Sequence, residues 1–200
     1  ESNGHQSSLV WDHQQFPLHI FGKHNLQNIQ AVLETCSIFG LNMKEVFESL
    51  TRFKGASKRM ELVSDNGRQK VYRDFAHAPS KVKATLQAIR DRYPSKSIGV
   101  ILELHTYSSL NPDFLPQYKD SCQPVDQLVV YFDQKALEIK RMAPLDADLI
   151  QSAFNRRDAI ICPDLIQLQD AVSGLRNRND VLLFLGSGQF GGLELAVAAD

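Results

Sequence analysis

From Lys70 to Leu104 the chain reads KVYRDFAHAPSKVKATLQAIRDRYPSKSIGVILEL. It opens on a short strand pattern, Lys70 to Asp74, and runs through a loop that closes on Pro79. Val82, Leu86 and Ile89 then recur at helical spacing between Ser80 and Tyr93, and the run from Ser97 to Leu104 is apolar enough to be buried on both faces. Strand, loop, helix and strand within about 35 residues form the unit from which parallel sheets are built. Downstream the alternation continues. Phe114 to Lys119 is expected to be helical, Gln127 to Phe132 a strand, Asp146 to Phe154 a helix, Ala159 to Cys162 a short strand, Leu165 to Arg176 a helix and Asp180 to Leu185 the last strand. Upstream, Met60 to Ser64 pairs with Lys70 to Asp74 around Asp65-Asn66-Gly67, a hairpin signal because Asn and Gly tolerate positive φ. The pattern predicts an α/β domain with a largely parallel sheet.

Further upstream the pattern changes. Glu1 to Gln15 is polar without a strong period, which predicts a frayed end or a cut through a larger protein. Phe16 to Phe21 reads as a short strand, placed near an edge by Pro17 and ended by Gly22. A helix is expected from Asn25 to Phe39, closed by Gly40, and a second from Met43 to Leu50, opened by Asn42. Gly55 and its small neighbours interrupt this pattern between Phe53 and Ser57. Residues 1–52 therefore read as one segment and residues 53–200 as a second, self-sufficient domain.

Composition narrows the function classes. The 22 basic and 23 acidic residues nearly cancel, so no global field draws the chain to nucleic acid or to anionic lipid. No apolar run is long enough to span a bilayer and no signal peptide is visible. Cys36, Cys122 and Cys162 are widely spaced and odd in number, which fits structural thiols in a reduced, cytoplasmic setting better than a zinc site or a disulfide framework.

Five segments can carry chemistry. Asn25 and Asn28 are three apart, so on a helix they share a face and can read the donor and acceptor edge of a purine; the plainer reading is a capped helix start. In Phe53 to Glu61, Gly55 permits a tight turn and Arg59 can bind phosphate or stack on a base, against the alternative of a solvated basic turn. Asp74 ends a strand and His77 lies in the loop before a helix, where open α/β sheets bind ligands; an acid there can accept from ribose hydroxyls and a histidine can move a proton, although a helix-capping loop has the same composition. Glu103 to Ser109 gathers a carboxylate, an imidazole and hydroxyls at the end of a buried strand without metal-ligand spacing, so no metal ligand is assigned and a polar surface loop stays open. Gly186-Ser187-Gly188-Gln189-Phe190-Gly191 matches G-x-G-x-x-G, but the helix, second strand and distal acid of a dinucleotide fingerprint have no room before Asp200. A glycine turn packed close to a neighbouring backbone is expected instead.

In this order the segments resemble the Mur ligases. That family's central domain ends near a G-x-H-N-x-x-N segment, matched by Gly22, His24, Asn25 and Asn28. Its third domain opens with F-x-G-x-x-x-R, matched by Phe53, Gly55 and Arg59, and continues with D-[YF]-[AG]-H-x-P, matched by Asp74, Phe75, Ala76, His77 and Pro79. His105-Thr106-Tyr107-Ser108 resembles the P-H-x-Y-[ST] loop of the UDP-N-acetylmuramate–L-alanine ligases, with Leu104 at the proline position.

The resemblance implies a Rossmann-like C-terminal domain over residues 53–200, preceded by the tail of a central ATPase domain over residues 1–52. It implies an ATP-dependent, magnesium-assisted amide ligase acting through an acyl phosphate. The substrates would be UDP-N-acetylmuramate and either L-alanine, in peptidoglycan synthesis, or an L-Ala-γ-D-Glu-meso-diaminopimelate muropeptide, in its recycling. Carried over by position, Asn25 and Asn28 would contact adenine, Asp74 the ribose and Arg59 the nucleotide. His77 is the candidate catalytic residue, and His105, Tyr107 and Ser108 are candidate acceptor contacts. There is no G-x-G-K-[ST] phosphate loop in the chain, so the triphosphate and UDP-sugar would be held elsewhere and this segment alone would be inactive. A stand-alone, non-catalytic nucleotide- or partner-binding module is the alternative.

Overall fold

The computed structural model describes residues 2–3 and 6–196. The first elements are β1 (Ser2–Asn3), β2 (Gln6–Trp11) and β3 (Gln14–Pro17), an antiparallel sheet in the order β1-β2-β3. The expected frayed start is therefore largely strand, apart from Glu1, Gly4 and His5, which lie outside the described residues. Its signal was hidden by the turn. Asp12 and His13 both take positive φ, 48° and 61°, so the hairpin has the primed geometry without a glycine to mark it. The strand expected from Phe16 to Phe21 ends at Pro17, with one further hydrogen bond from the Leu18 N–H to the Ser7 carbonyl at 2.8 Å.

Two helices follow, α1 (Lys23–Ile38) and α2 (Met43–Arg52). The Asn42 side chain accepts from the Lys44 N–H at 3.1 Å and so opens α2 as expected. Phe47 of α2 anchors the hairpin, with the Trp11 ring at 5.3 Å and the Phe16 ring at 5.2 Å from its centroid.

The rest is an α/β sandwich. Its strands and helices are β4 (Glu61–Asp65), β5 (Lys70–Asp74), α3 (Pro79–Arg92), β6 (Ile98–Glu103), β7 (Gln127–Tyr131), α4 (Gln134–Ile139), α5 (Ala147–Phe154), β8 (Ile160–Cys162), α6 (Leu165–Arg178) and β9 (Val181–Leu185). The sheet order is β4-β5-β9-β6-β7-β8, parallel except for the β4–β5 hairpin. Every residue of β6 and β9 is buried, which is why these strands read as unbroken apolar runs rather than alternating ones. Val82, Leu86 and Ile89 of α3 and Ile150 and Phe154 of α5 cover one face; Leu168, Val172 and Leu175 of α6 cover the other. The short helix α4 was not foreseen; its six residues show one buried side chain, Leu137, too few for a period to be read.

Candidate functional site

The two halves of the chain meet along a cleft of about 840 Å³. One wall is the face of α1 bearing His24, Asn25, Asn28, Ile29 and Val32, with Leu50 and Phe53 at its end. The other wall comes from Gly55, Ala56 and Arg59, from Asp74 at the end of β5, and from Ser80, Lys81, Ala84 and Thr85 on α3. A mostly apolar slot with a few polar groups, of this size, suits a small planar ligand.

Each polar group is held by local structure. Gly22 starts α1 at φ 91°, and a Cβ there would lie 2.8 Å from Ala88 Cβ, so glycine lets the α1 start lie directly on α3. The Asn25 amide nitrogen donates to the Phe21 carbonyl at 2.8 Å, which fixes the side chain and leaves its oxygen without a hydrogen bond among the described residues. Asn28 is exposed one turn on. Arg59 lies in a turn where Lys58 and Met60 take positive φ, with its guanidinium carbon 5.5 Å from the Phe75 ring centroid.

Asp74 gives the largest departure from expectation. It is 4% exposed, and both carboxylate oxygens already accept from the protein: Oδ2 from the Met60 N–H at 2.7 Å, Oδ1 from the Ala76 N–H at 2.8 Å and from the Thr85 hydroxyl at 3.4 Å. The residue expected only to meet a ribose therefore first organises the Arg59 turn and the approach to α3. Oδ1 is thereby filled, and one lone pair of Oδ2 remains for a ligand at the cleft wall.

His24 is a cleft residue that the assignment of site residues passed over. Burial lowers its pKa, Asp74 opposes this, and Lys81 and Arg59 add to the lowering, so its neutral form is favoured. Its place within the G-x-H-N segment was the available signal. Lys81 and Thr85 gave none, since a helix surface does not say what it faces.

His77 and the 105–108 loop are absent from the cleft lining. The His77 Nδ1 lies 2.9 Å from the Phe75 carbonyl, which can only accept, so Nδ1 donates there and Nε2 is the ring nitrogen left to face a substrate. The Phe75 ring packs edge-on against the imidazole at 5.3 Å, and the buried Tyr118 hydroxyl donates to the His77 carbonyl. His105, Tyr107 and Ser108 are exposed in the loop after β6. Lys140, following α4, donates to the His105 carbonyl at 2.7 Å and lies 5.1 Å from the Tyr107 ring centroid. Partial burial and the Lys140 charge both lower the His105 pKa. Among the described residues no cluster of three or more His, Cys, Asp or Glu is arranged to hold a metal ion, and no helix is long and apolar enough to cross a membrane.

Comparison with known proteins decides the family. The profile described as "Mur ligase, glutamate ligase domain" matches residues 58–188. The chain belongs to the Mur ligase family. Its curated Mur ligase relatives include UDP-N-acetylmuramate–L-alanine ligases from Desulfitobacterium hafniense (strain Y51), 28% identical over 87% of this chain and 39% of the relative, and from Aquifex aeolicus (strain VF5), 30% identical over 86% and 37%. The chain thus spans about two fifths of these Mur ligases. Among solved structures, the UDP-N-acetylmuramate–alanine ligase of Thermotoga maritima superposes with a TM-score of 0.67 at 21% identity, over 88% of this chain and 37% of that one. A murein peptide ligase from Psychrobacter arcticus 273-4 gives 0.62 at 18%, over 96% and 41%. At these identities the structures establish the Mur ligase fold.

Proposed function

We propose that this chain is the nucleotide-closing, acceptor-facing part of an ATP-dependent amide ligase whose carboxylate substrate is UDP-N-acetylmuramate. The observation that carries this reading is the cleft, which joins Asn25 and Asn28 from one half of the chain to Arg59 and Asp74 from the other. Residues 1–52 are taken as the tail of the central ATP-binding domain and the remainder as the C-terminal ligase domain.

The adenosine end of ATP fits the groups present. The Asn25 oxygen accepts from an exocyclic amine, Asn28 offers both a donor and an acceptor, and Ile29, Val32, Leu50 and Ala84 supply apolar walls for a base. Asp74 accepts from a ribose hydroxyl through the remaining lone pair of Oδ2. Arg59 lies toward the phosphates, with Lys81 as a second cation on the same wall. The γ-phosphoryl moves to the substrate carboxylate, leaving ADP and an acyl phosphate; a magnesium ion, for which the described residues offer no ligand cluster, would neutralise phosphate charge. The acceptor amine then attacks the acyl carbon, the amide forms and inorganic phosphate departs. His77, oriented by its Nδ1 hydrogen bond to the Phe75 carbonyl, takes the amine proton at Nε2. Closure of the C-terminal domain over the nucleotide would keep water from the acyl phosphate. A cytoplasmic location follows from a nucleotide-sugar substrate and ATP.

L-alanine is the acceptor that the names of the curated relatives support. The preformed L-Ala-γ-D-Glu-meso-diaminopimelate tripeptide is the second reading, favoured by Leu104 at the proline position of the L-alanine ligases' loop. Phosphate release by the complete ligase, given ATP, UDP-N-acetylmuramate and each acceptor in turn, tests the proposal. Release that requires UDP-N-acetylmuramate and either acceptor supports it, and the faster acceptor settles the choice. Release indifferent to UDP-N-acetylmuramate overturns it in favour of a binding module or a different ligase.

A further inference from the structure

The glycine-rich segment after β9 takes no part in the cleft. The strand order β5-β9-β6 places it between the loop after β5, which carries His77, and the loop after β6, which carries His105. It is tied to both neighbours. On the β5 side the Gly186 N–H donates to the Asp74 carbonyl at 3.2 Å, and Arg73 Nη2 donates to the Gly188 carbonyl at 3.1 Å. On the β6 side the Phe190 N–H donates to Glu103 Oε1 at 3.1 Å. A Cβ on Gly188 would lie 2.4 to 2.6 Å from the Glu103 carboxylate, and one on Gly186 would lie 2.8 Å from Glu103 Cβ. The glycines are therefore there to let the loop close over a carboxylate. The expected neighbouring backbone is in fact this side chain.

Glu103 is 4% exposed; its Oε2 makes no fully formed hydrogen bond among the described residues, although the Gly188 N–H and the Arg73 charge act on the carboxylate, and the buried Ser187 Oγ and Arg73 Nε likewise make none among them. A buried carboxyl group left half-paired costs stability, so its presence at the centre of three converging loops calls for a function. We propose that Glu103 is a positioning residue of the ligase, clamping the 186–192 loop between the His77 and His105 loops and thereby setting the affinity for the amine acceptor.

The proposal rests on the ligase reading above. In the complete ligase, Glu103→Ala should raise the acceptor KM about tenfold, with the ATP KM within about twofold of wild type. Glu103→Gln, which still accepts from Phe190, should stay close to wild type. Gly188→Ala, whose methyl displaces the carboxylate, should reproduce the Glu103→Ala defect, and the double variant should be no worse than either single one. Hydrogen exchange at the Phe190 amide should quicken in Glu103→Ala and not in Glu103→Gln. Quickened exchange with an unchanged acceptor KM, equal damage from Gln and Ala, or additive Glu103 and Gly188 effects would each overturn the proposal. A wild-type enzyme that releases no phosphate with any acceptor would instead remove the ligase reading.

Discussion

At the scale of single residues, Asp74 joins binding to folding. Two backbone N–H groups, of Met60 and Ala76, would be left unpaired by Asp74→Ala, so the variant should lose about 1–3 kcal/mol of stability as well as showing a raised KM for ATP. Chemical denaturation beside steady-state kinetics checks both; a KM change with unaltered stability would mean that the buried hydrogen bonds contribute nothing. His77 differs, because its imidazole lies outside the cleft. His77→Ala should lower kcat with little change in the ATP KM, and parallel losses in both would contradict its role at the acceptor amine. Glu103 links the site to pH. Burial raises its pKa above the ordinary 4.5, against the opposing Phe190 N–H, Arg73 charge and Gly188 N–H, with the Tyr131 hydroxyl also in its field. The folded state thus holds this proton more tightly than the unfolded chain. The resulting stability is complete below the ordinary carboxylate value and is lost as pH rises through the folded pKa. Melting curves across that range should fall less steeply with pH for Glu103→Gln than for wild type, and identical slopes would refute the assignment.

At the scale of elements, the decisive contact is the start of α1 on α3. Gly22→Ala meets Ala88 Cβ at 2.8 Å and a backbone at φ 91°, so it should destabilise by about 1–3 kcal/mol. Adding Ala88→Gly should recover the steric part; no recovery would place the whole cost in the backbone. The α/β alternation was legible because β6 and β9 are long apolar runs and α3 carries Val82, Leu86 and Ile89 on one face. The β2–β3 hairpin was not, since Asp12-His13 takes a turn that sequence reading expects of Asn-Gly. Residues of the candidate site were legible one segment at a time. Their assembly was not: nothing in Asn25 or Asn28 says that α1 will face Arg59, and nothing in Gly188 says that its neighbour is Glu103, 85 positions earlier.

At the scale of the whole molecule, the cleft depends on both halves of the chain, and most of the polar groups gathered in it suit a base and a sugar. The chain alone should therefore fold and bind the adenosine end of a nucleotide weakly, without hydrolysing ATP. Of the charged hydrogen bonds to phosphates, each worth roughly 1.5–3 kcal/mol, the cleft lining offers only those of Arg59 and Lys81. Calorimetry showing tight, saturable ATP binding to the chain by itself would contradict that expectation. The most direct test of the cleft is a titration of the isotopically labelled chain with ADP, followed by amide chemical shifts. The account predicts weak, saturable shifts at Asn25, Asn28, Gly55, Ala56 and Ala84, with the 105–109 loop unmoved. Shifts confined to the 105–109 and 186–192 loops, with the cleft silent, would contradict it.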